Sequence, residues 1–340
     1  GTTNFQTGVE QVGEARVQAF DQFGQAVQAL VNGDVDAVII DSTAGLGYQG
    51  ENSEVLRVIE GSLTSDELGF AFPEGSDLRD AFNAALESTI ADGTLAGLNA
   101  RWFALQDAQL GGDTISIAVE NAYPPFNFID EASGNAVGWD YDAINAICLR
   151  LNCVPEFVQT SWDGMLVAVA NGEFDVAADG ITITDERDQT VDFSVGYISV
   201  EQVLLVRLDE DRFDSVQAFV DNADLILATQ VGTTNFQTAG EIVGESRVQA
   251  FDQFGQAVQA LVNGDVDAVI IDSTAGLGYQ GENADVLRVI DDAITSDALG
   301  FAFAEGSALR DAFDAALMTM MADGSLAEIN ARWFAPSGEG

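Results

Sequence analysis

The sequence predicts an α/β protein of two lobes, preceded by a second copy of its own C-terminal half. Three observations carry that expectation. Between residues 114 and 334, short apolar runs alternate with stretches of helical spacing, the pattern of an α/β fold. GTTNFQT at Gly1 recurs at Gly232, and the match continues without a gap to ARWFA at Ala100 and Ala331. Residues 16–52 match 247–283 letter for letter, so the repeating unit is of domain length and a short-period solenoid is excluded.

Taken in order, residues 1–105 read as the C-terminal half of an upstream module cut at its start, and 106–112 as a polar linker. Residues 113–337 then form one complete module, with lobe 1 at 113–207 and 297–337 and lobe 2 at 208–296. In lobe 1, 115–119 reads as a strand, 141–151 as a helix, 155–159 as a strand, 164–171 as a helix and 174–177 as a strand. In lobe 2, 225–229 is a strand, a helix follows a glycine turn from Thr233, 257–262 is a helix, and the apolar run 266–271 is a buried strand. The tail shows helical spacing at 308–321 and 326–334, punctuated by Gly324. Hinge strands are expected near Val203 and Leu299. The chain begins at Gly1 inside a repeat, so a true N-terminus with any signal peptide or lipid anchor is expected outside the given sequence.

Composition removes many functions. The 340 residues are 47 % hydrophobic, enough for packed cores, and carry 56 acidic against 12 basic residues. All 12 are arginine, and there is no histidine. Without histidine there is no Ser-His-Asp or Cys-His nucleophile system and no histidine metal site. Without lysine there is no Schiff base and no phosphate-loop lysine. A formal charge of −44 opposes nucleic acid and anionic lipid, whose recognition rests on Lys and Arg. The acid excess fits adaptation to high salt or a GC-rich genome equally well. No run of 18 apolar residues occurs.

Three places then suggest ligand chemistry. Arg187, in GITITDER just past a strand and a glycine, could project into a cleft and grip a carboxylate with two parallel bonds, or could pair on the surface with Asp185 or Glu186. Asp272 ends a buried strand, where open α/β sheets place ligand contacts, or caps the following helix. Gly232-Thr233-Thr234 opens a helix after a strand, and its free N–H groups suit an anion.

Together with AVENAYPPFNFID, VGWDYDAINAI, WDGMLVAVANGEFDVAADGITITDERDQTVDFS, the VGTT turn and ALVNGDVDAVIID, these residues resemble the type II extracytoplasmic solute-binding proteins of ABC importers, in the polar amino-acid group. The resemblance covers about 114–334; residues 1–104 resemble only the family's second half. It implies a two-lobed periplasmic-binding-protein-like fold with no cofactor and no catalysis, and an amino-acid ligand delivered to an importer permease outside the cytoplasm. By position, Arg187 would clamp the ligand α-carboxylate with Thr182 and the backbone at Gly232 and Thr233. Asp272 would take the α-ammonium with the Gly180 carbonyl. Tyr123 and Trp162 would sandwich the ligand side chain, unless they are simply core. Glu120 would face its distal end, unless it pairs with an arginine. Asp179 departs from the small residue many members carry there and would favour a basic ligand, or point away. Cys148 and Cys153 would form the disulfide that related proteins often carry in this lobe, or remain two buried thiols. The same fold also serves sensing ectodomains and a few dehydratases. The first copy keeps Asp41 and the GTT turn but has no counterpart of Arg187, so it is expected to bind nothing alone, or to compete with 232–336 in a swapped pairing.

Overall fold

In a computed structural model of the chain, residues 2–52, 55–59, 63–65, 67–91, 93–99 and 108–334 are described. Gly1 of the first GTT turn, 100–107 with the start of the expected linker, and 335–340 with the expected end of the module lie outside them. The chain divides into two units, Gly1–Ala108 and Gln109–Gly340.

The described residues of the first unit form helices α1 (Thr3–Val12), α2 (Phe23–Asn32), α3 (Ser42–Glu51), α4 (Leu78–Ala91) and α5 (Thr94–Asn99), and no β-strand. A helix satisfies its backbone within the segment, whereas a strand needs a partner. In the second unit the strands formed by the matching residues pair with strands within 176–207 and 227–230, outside the repeated stretch.

The second unit begins earlier than the expected linker would allow. Gln109 Nε2 donates to the carbonyl of Arg150 at 2.9 Å, and Leu110 N and Gly112 N donate to those of Leu151 and Asn152. These residues thereby cap the carbonyl end of a helix rather than run free. Lobe 1 holds β1 (Thr114–Val119), β2 (Ala122–Tyr123), β3 (Asn127–Ile129), β4 (Ala136–Val137), α6 (Trp139–Leu151), β5 (Val154–Gln159), α7 (Met165–Ala170), β6 (Val176–Ala177) and β7 (Val191–Phe193). β8 (Ile198–Arg207) leads into lobe 2, made of α8 (Val216–Asp221), β9 (Leu227–Gln230), α9 (Thr234–Val243), β10 (Val248–Phe251), α10 (Phe254–Asn263), β11 (Ala268–Asp272), α11 (Ser273–Glu282) and β12 (Leu287–Ile290). The chain returns through β13 (Ser296–Leu299) and β14 (Ala302–Ala304) to α12 (Ala308–Asp323) and α13 (Ser325–Phe334).

Each lobe is built on its own sheet. The first has the order β5-β1-β6-β14-β7, and the second β10-β9-β11-β8-β12 with β13 beside β8. β8 is long enough to serve both sides: 198–201 pair with β13, and Gln202 to Leu205 pair with β11. The change of lobe expected after Arg207 therefore falls near Gln202, because the strand continues unbroken into the second sheet. β8 and β13 are the crossing strands, close to the expected hinges at Val203 and Leu299. Cys148 and Cys153 are joined in a disulfide at a Cα separation of 4.6 Å, closing the turn between α6 and β5. Among the described residues no helix is long and apolar enough to cross a membrane.

Candidate functional site

The carboxyl ends of several strands from both lobes meet at one small cavity of about 30 Å³. Glu120 follows β1, Tyr123 ends β2, and Trp162 lies between β5 and α7. Asp179, Gly180, Thr182 and Arg187 come from the loop between β6 and β7. Opposite them stand Gln230 from β9, Thr233, Thr234 and Asn235 at the start of α9, Phe254 at the start of α10, and Asp272 ending β11. Of the ten expected site residues, nine line this cavity. The tenth, Gly232, sits at its edge: a Cβ built there would lie 3.6 Å from Trp162 Nε1.

Two glycines make the closeness feasible. Gly180 has φ +55°, and a Cβ there would meet Tyr123 at 3.0 Å and Phe126 at 3.1 Å. Gly232 has φ +74° and turns the chain from β9 into α9, a conformation that side chains with a Cβ disfavour. The Thr233 hydroxyl accepts from Phe236 N at 3.1 Å and donates to the Gln230 carbonyl at 2.8 Å. This fixes the positive end of α9 beside the cavity.

The charges are arranged by type. Arg187 is the arginine of the lining; its Nη1 donates to the Thr182 carbonyl at 2.8 Å, and its guanidinium lies 5.2 Å from the centre of the Trp162 ring. Among the described residues it makes no ion pair. Neither Asp185 nor Glu186 holds it. Burial lowers its pKa, an effect that the Asp272 carboxylate opposes. Asp272 accepts from the Tyr123 hydroxyl at 2.7 Å and from Asn235 Nδ2 at 3.2 Å. Burial outweighs these bonds and pushes its pKa up to about 6. The Asn235 Oδ1 is buried with no hydrogen-bond partner, an acceptor held at the cavity beside a carboxylate.

On the other side, Glu120 accepts from Gln230 Nε2 at 2.9 Å, and burial raises its pKa to about 6. No arginine pairs with it among the described residues. Asp179 points inward: it accepts from Asn127 Nδ2 at 2.6 Å, and that amide also donates to Asp140 at 2.8 Å. Burial, followed by repulsion from Glu120, holds Asp179 well above the ordinary carboxylate range. Asp140, one layer deeper, is pushed up to about 7 by burial. A cluster of carboxylates in low dielectric with no fixed cation beside it is set to accept a positive charge.

The aromatic pair departs from the expected sandwich. Tyr123 stacks on Phe126 at 5.4 Å and on Phe254 at 5.2 Å, while Trp162 faces Arg187. The two rings form separate walls. Gln230, Thr234, Asn235 and Phe254 are lining residues that reading the sequence missed. Thr234 and Asn235 directly follow the GTT turn, and that adjacency is the signal that was present; Gln230 and Phe254 carried none.

Residues 115–336 match the family described as bacterial extracellular solute-binding proteins, family 3. Over 74 % of its length the chain is 28 % identical to the L-cystine-binding protein TcyJ of Escherichia coli, covering 94 % of that protein. Among solved structures, an ancestral arginine-binding protein bound to glutamine aligns with a TM-score of 0.61 at 32 % identity, over 65 % of this chain and 97 % of that one. The arginine-, lysine-, histidine-binding protein ArtJ from Geobacillus stearothermophilus aligns with a TM-score of 0.61 at 29 % identity, over 66 % and 97 %.

Proposed function

The chain belongs to the bacterial extracellular solute-binding proteins, family 3, and from that premise we propose that its second unit captures a polar amino acid, with a preference for basic ones. It works outside the cytoplasm and hands the ligand to the permease of an ABC importer. The observation that carries this reading is one cavity with an unpaired guanidinium and buried carboxylates on walls drawn from both lobes. A zwitterion needs both signs at once.

In this reading Arg187, with Thr182 and the first-turn N–H groups of α9 at Thr233, holds the α-carboxylate. Asp272 takes the α-ammonium with the Gly180 carbonyl and the spare Asn235 oxygen. Trp162 walls one side of the ligand, and Tyr123, stacked between Phe126 and Phe254, contributes its hydroxyl, which holds Asp272 in place. Glu120 and Asp179 receive a distal cation, which returns both to their ionised forms. Several relatives are named for basic amino acids, which supports the preference. A cavity of about 30 Å³ has room for only a few waters, so the ligand enters with the lobes parted about β8 and β13 and leaves them closed. Closure is favoured because the ligand contacts both lobes, and an equilibrium shifts only by differential affinity. The first unit lacks a counterpart of Arg187 and binds no amino acid alone. Because 16–52 equals 247–283, it competes with the second copy for β8 and β9, and engineered cysteine pairs read by cross-linking would report such exchange.

Thermal unfolding against arginine, lysine, histidine, glutamine, glutamate and cystine tests the central claim. A ligand at 100 times its Kd adds about 2.7 kcal/mol, a shift of roughly 5 to 10 °C for a unit of this size. Stabilisation by the basic members, lost in Arg187→Ala, is expected. No shift with any amino acid would overturn the reading.

A further inference from the structure

Behind the acid wall of the cavity stands a side chain that does not line it. Asn127, in β3, is fully buried and is not among the lining residues, yet its polar contacts lead to both ligand-facing acids. Its Nδ2 donates to Asp179 at 2.6 Å and to Asp140 at 2.8 Å, with the Ala178 carbonyl farther off at 3.4 Å. Its Oδ1 accepts from Asn121 N at 2.6 Å. Asn121 directly follows Glu120, stands at φ +60° and accepts from the Tyr141 hydroxyl at 2.8 Å. The backbone of Asn127 pairs with Tyr123 across the hairpin of β2 and β3. One residue thus ties together the segments that carry Glu120, Tyr123 and Asp179.

The place calls for an amide. Its nitrogen side faces two carboxyl groups and its oxygen side faces a backbone N–H, so a turned amide would set oxygen against the acids and nitrogen against a donor. An ionised carboxyl would have no hydrogen to give, and an apolar side chain would have neither function. The sequence builds the socket through Gly138, which has φ +141° and where a Cβ would lie 2.9 Å from Asn127 Cα. That close approach lets Trp139 N and Asp140 N donate to the carbonyls of Pro125 and Phe126, each at 2.9 Å, and so brings the Asp140 carboxyl up to the amide. With one hydrogen committed there, the other is aimed at Asp179.

We propose that Asn127 is the positioning residue by which the site selects a guanidinium or ammonium side chain over a neutral one of the same shape. Its N–H supports the ionised form of Asp179, because a hydrogen bond to the charged form favours that form. Its Oδ1 holds the turn that follows Glu120. The two acids are thereby kept on one wall, facing one cation, although they repel each other. The inference rests on the reading of this cavity as a site for basic amino acids, and Asn127 acts there only through the acids.

The test compares arginine with citrulline, in which a neutral urea of the same shape replaces the guanidinium. Both are titrated by calorimetry into the full chain and into Asn127→Leu and Asn127→Ser. In the original chain arginine is expected to bind about tenfold or more tighter than citrulline, the scale of a charge-assisted hydrogen bond. Both variants should lose most of that ratio, while citrulline affinity moves less than about threefold, within the scale of one neutral hydrogen bond. Asn127→Ser, whose hydroxyl is too short to reach both segments, serves where Asn127→Leu does not fold; circular dichroism and thermal unfolding report on each. A purely structural role would weaken the two ligands equally, and that result would overturn the proposal. So would an arginine-to-citrulline ratio that survives or rises in a folded variant. The two readings fail in different ways. An original chain that binds citrulline as tightly as arginine, or binds neither, removes the basic preference and this proposal with it, whereas a preference that the variants keep removes only the role of Asn127.

Discussion

At the residue scale, the site is a competition between solvation and charge that a ligand can settle. Glu120 has lost water and gained only the Gln230 amide and the Trp162 backbone N–H, so burial still raises its pKa to about 6. A cationic side chain beside it favours the ionised form, and binding therefore expels a proton below that pH. Arginine or lysine affinity is expected to fall as pH drops below about 6, while glutamine affinity changes less; calorimetry in buffers of different ionisation enthalpy would measure the protons released. Glu120→Gln should remove most of this pH dependence and cost basic ligands about 10- to 100-fold, the scale of a charge-assisted bond. An unaltered pH profile in that variant would show that Glu120 does not meet the cation. Strand ends and glycine turns marked Arg187 and Asp272 as candidates but left a surface ion pair and a helix cap open; the resemblance to the family is what pointed both to a ligand, and the structure places both in the lining of the cavity. The roles of Gln230 and Phe254 were not legible: they depend on which faces of β9 and α10 meet Glu120 and Tyr123 across the cleft, a tertiary fact that local spacing does not encode.

At the scale of elements, the helices and the buried strands near the expected positions could be read from periodicity, with ends off by one to three residues. β8 could not be read as a lobe crossing, since a strand's sequence does not say which sheet each half joins. The α6–β5 turn carries its own prediction. The disulfide there closes a short loop of separation 5, for which the chain-entropy estimate is about 2 kcal/mol. Cys148→Ser with Cys153→Ser should lower the unfolding temperature of the second unit by roughly 4 to 8 °C and leave the order of ligand affinities intact, because the pair lies away from the cavity. At the other end of the site, Thr233→Ala deletes the cap of α9, worth about 1 kcal/mol. It also loosens the helix end assigned to the carboxylate, so its binding loss should exceed its stability loss when thermal melts and titration are compared.

At the scale of the molecule, two sources of pH dependence act together and salt separates them. Glu120, Asp140 and Asp272 have folded-state pKa values raised by burial to about 6, 7 and 6. Their contribution to stability is present below the unfolded values near 4 and is lost as pH rises through 6 to 7. Glu210 runs the other way. Its bonds to Arg212 hold it at about 2, so its contribution is present above about 4.5 and is lost as pH falls toward 2. The ligand-free chain is therefore expected to be most stable near pH 5 and weaker at 7.5. A net charge of −44 adds self-repulsion that also grows with pH, but exposed charges are screened within about 10 Å at 0.1 M salt and 3 Å at 1 M, whereas the buried carboxylates are not. Raising salt should thus lift stability at pH 7.5 without abolishing the difference from pH 5. What remains belongs to the carboxylates, and Asp140→Asn should remove a large part of it, on the order of 3 kcal/mol at pH 7.5 and far less at pH 5. If high salt alone flattened the profile, surface repulsion would account for all of it, and the buried acids would have to be ionised at little cost in the free protein.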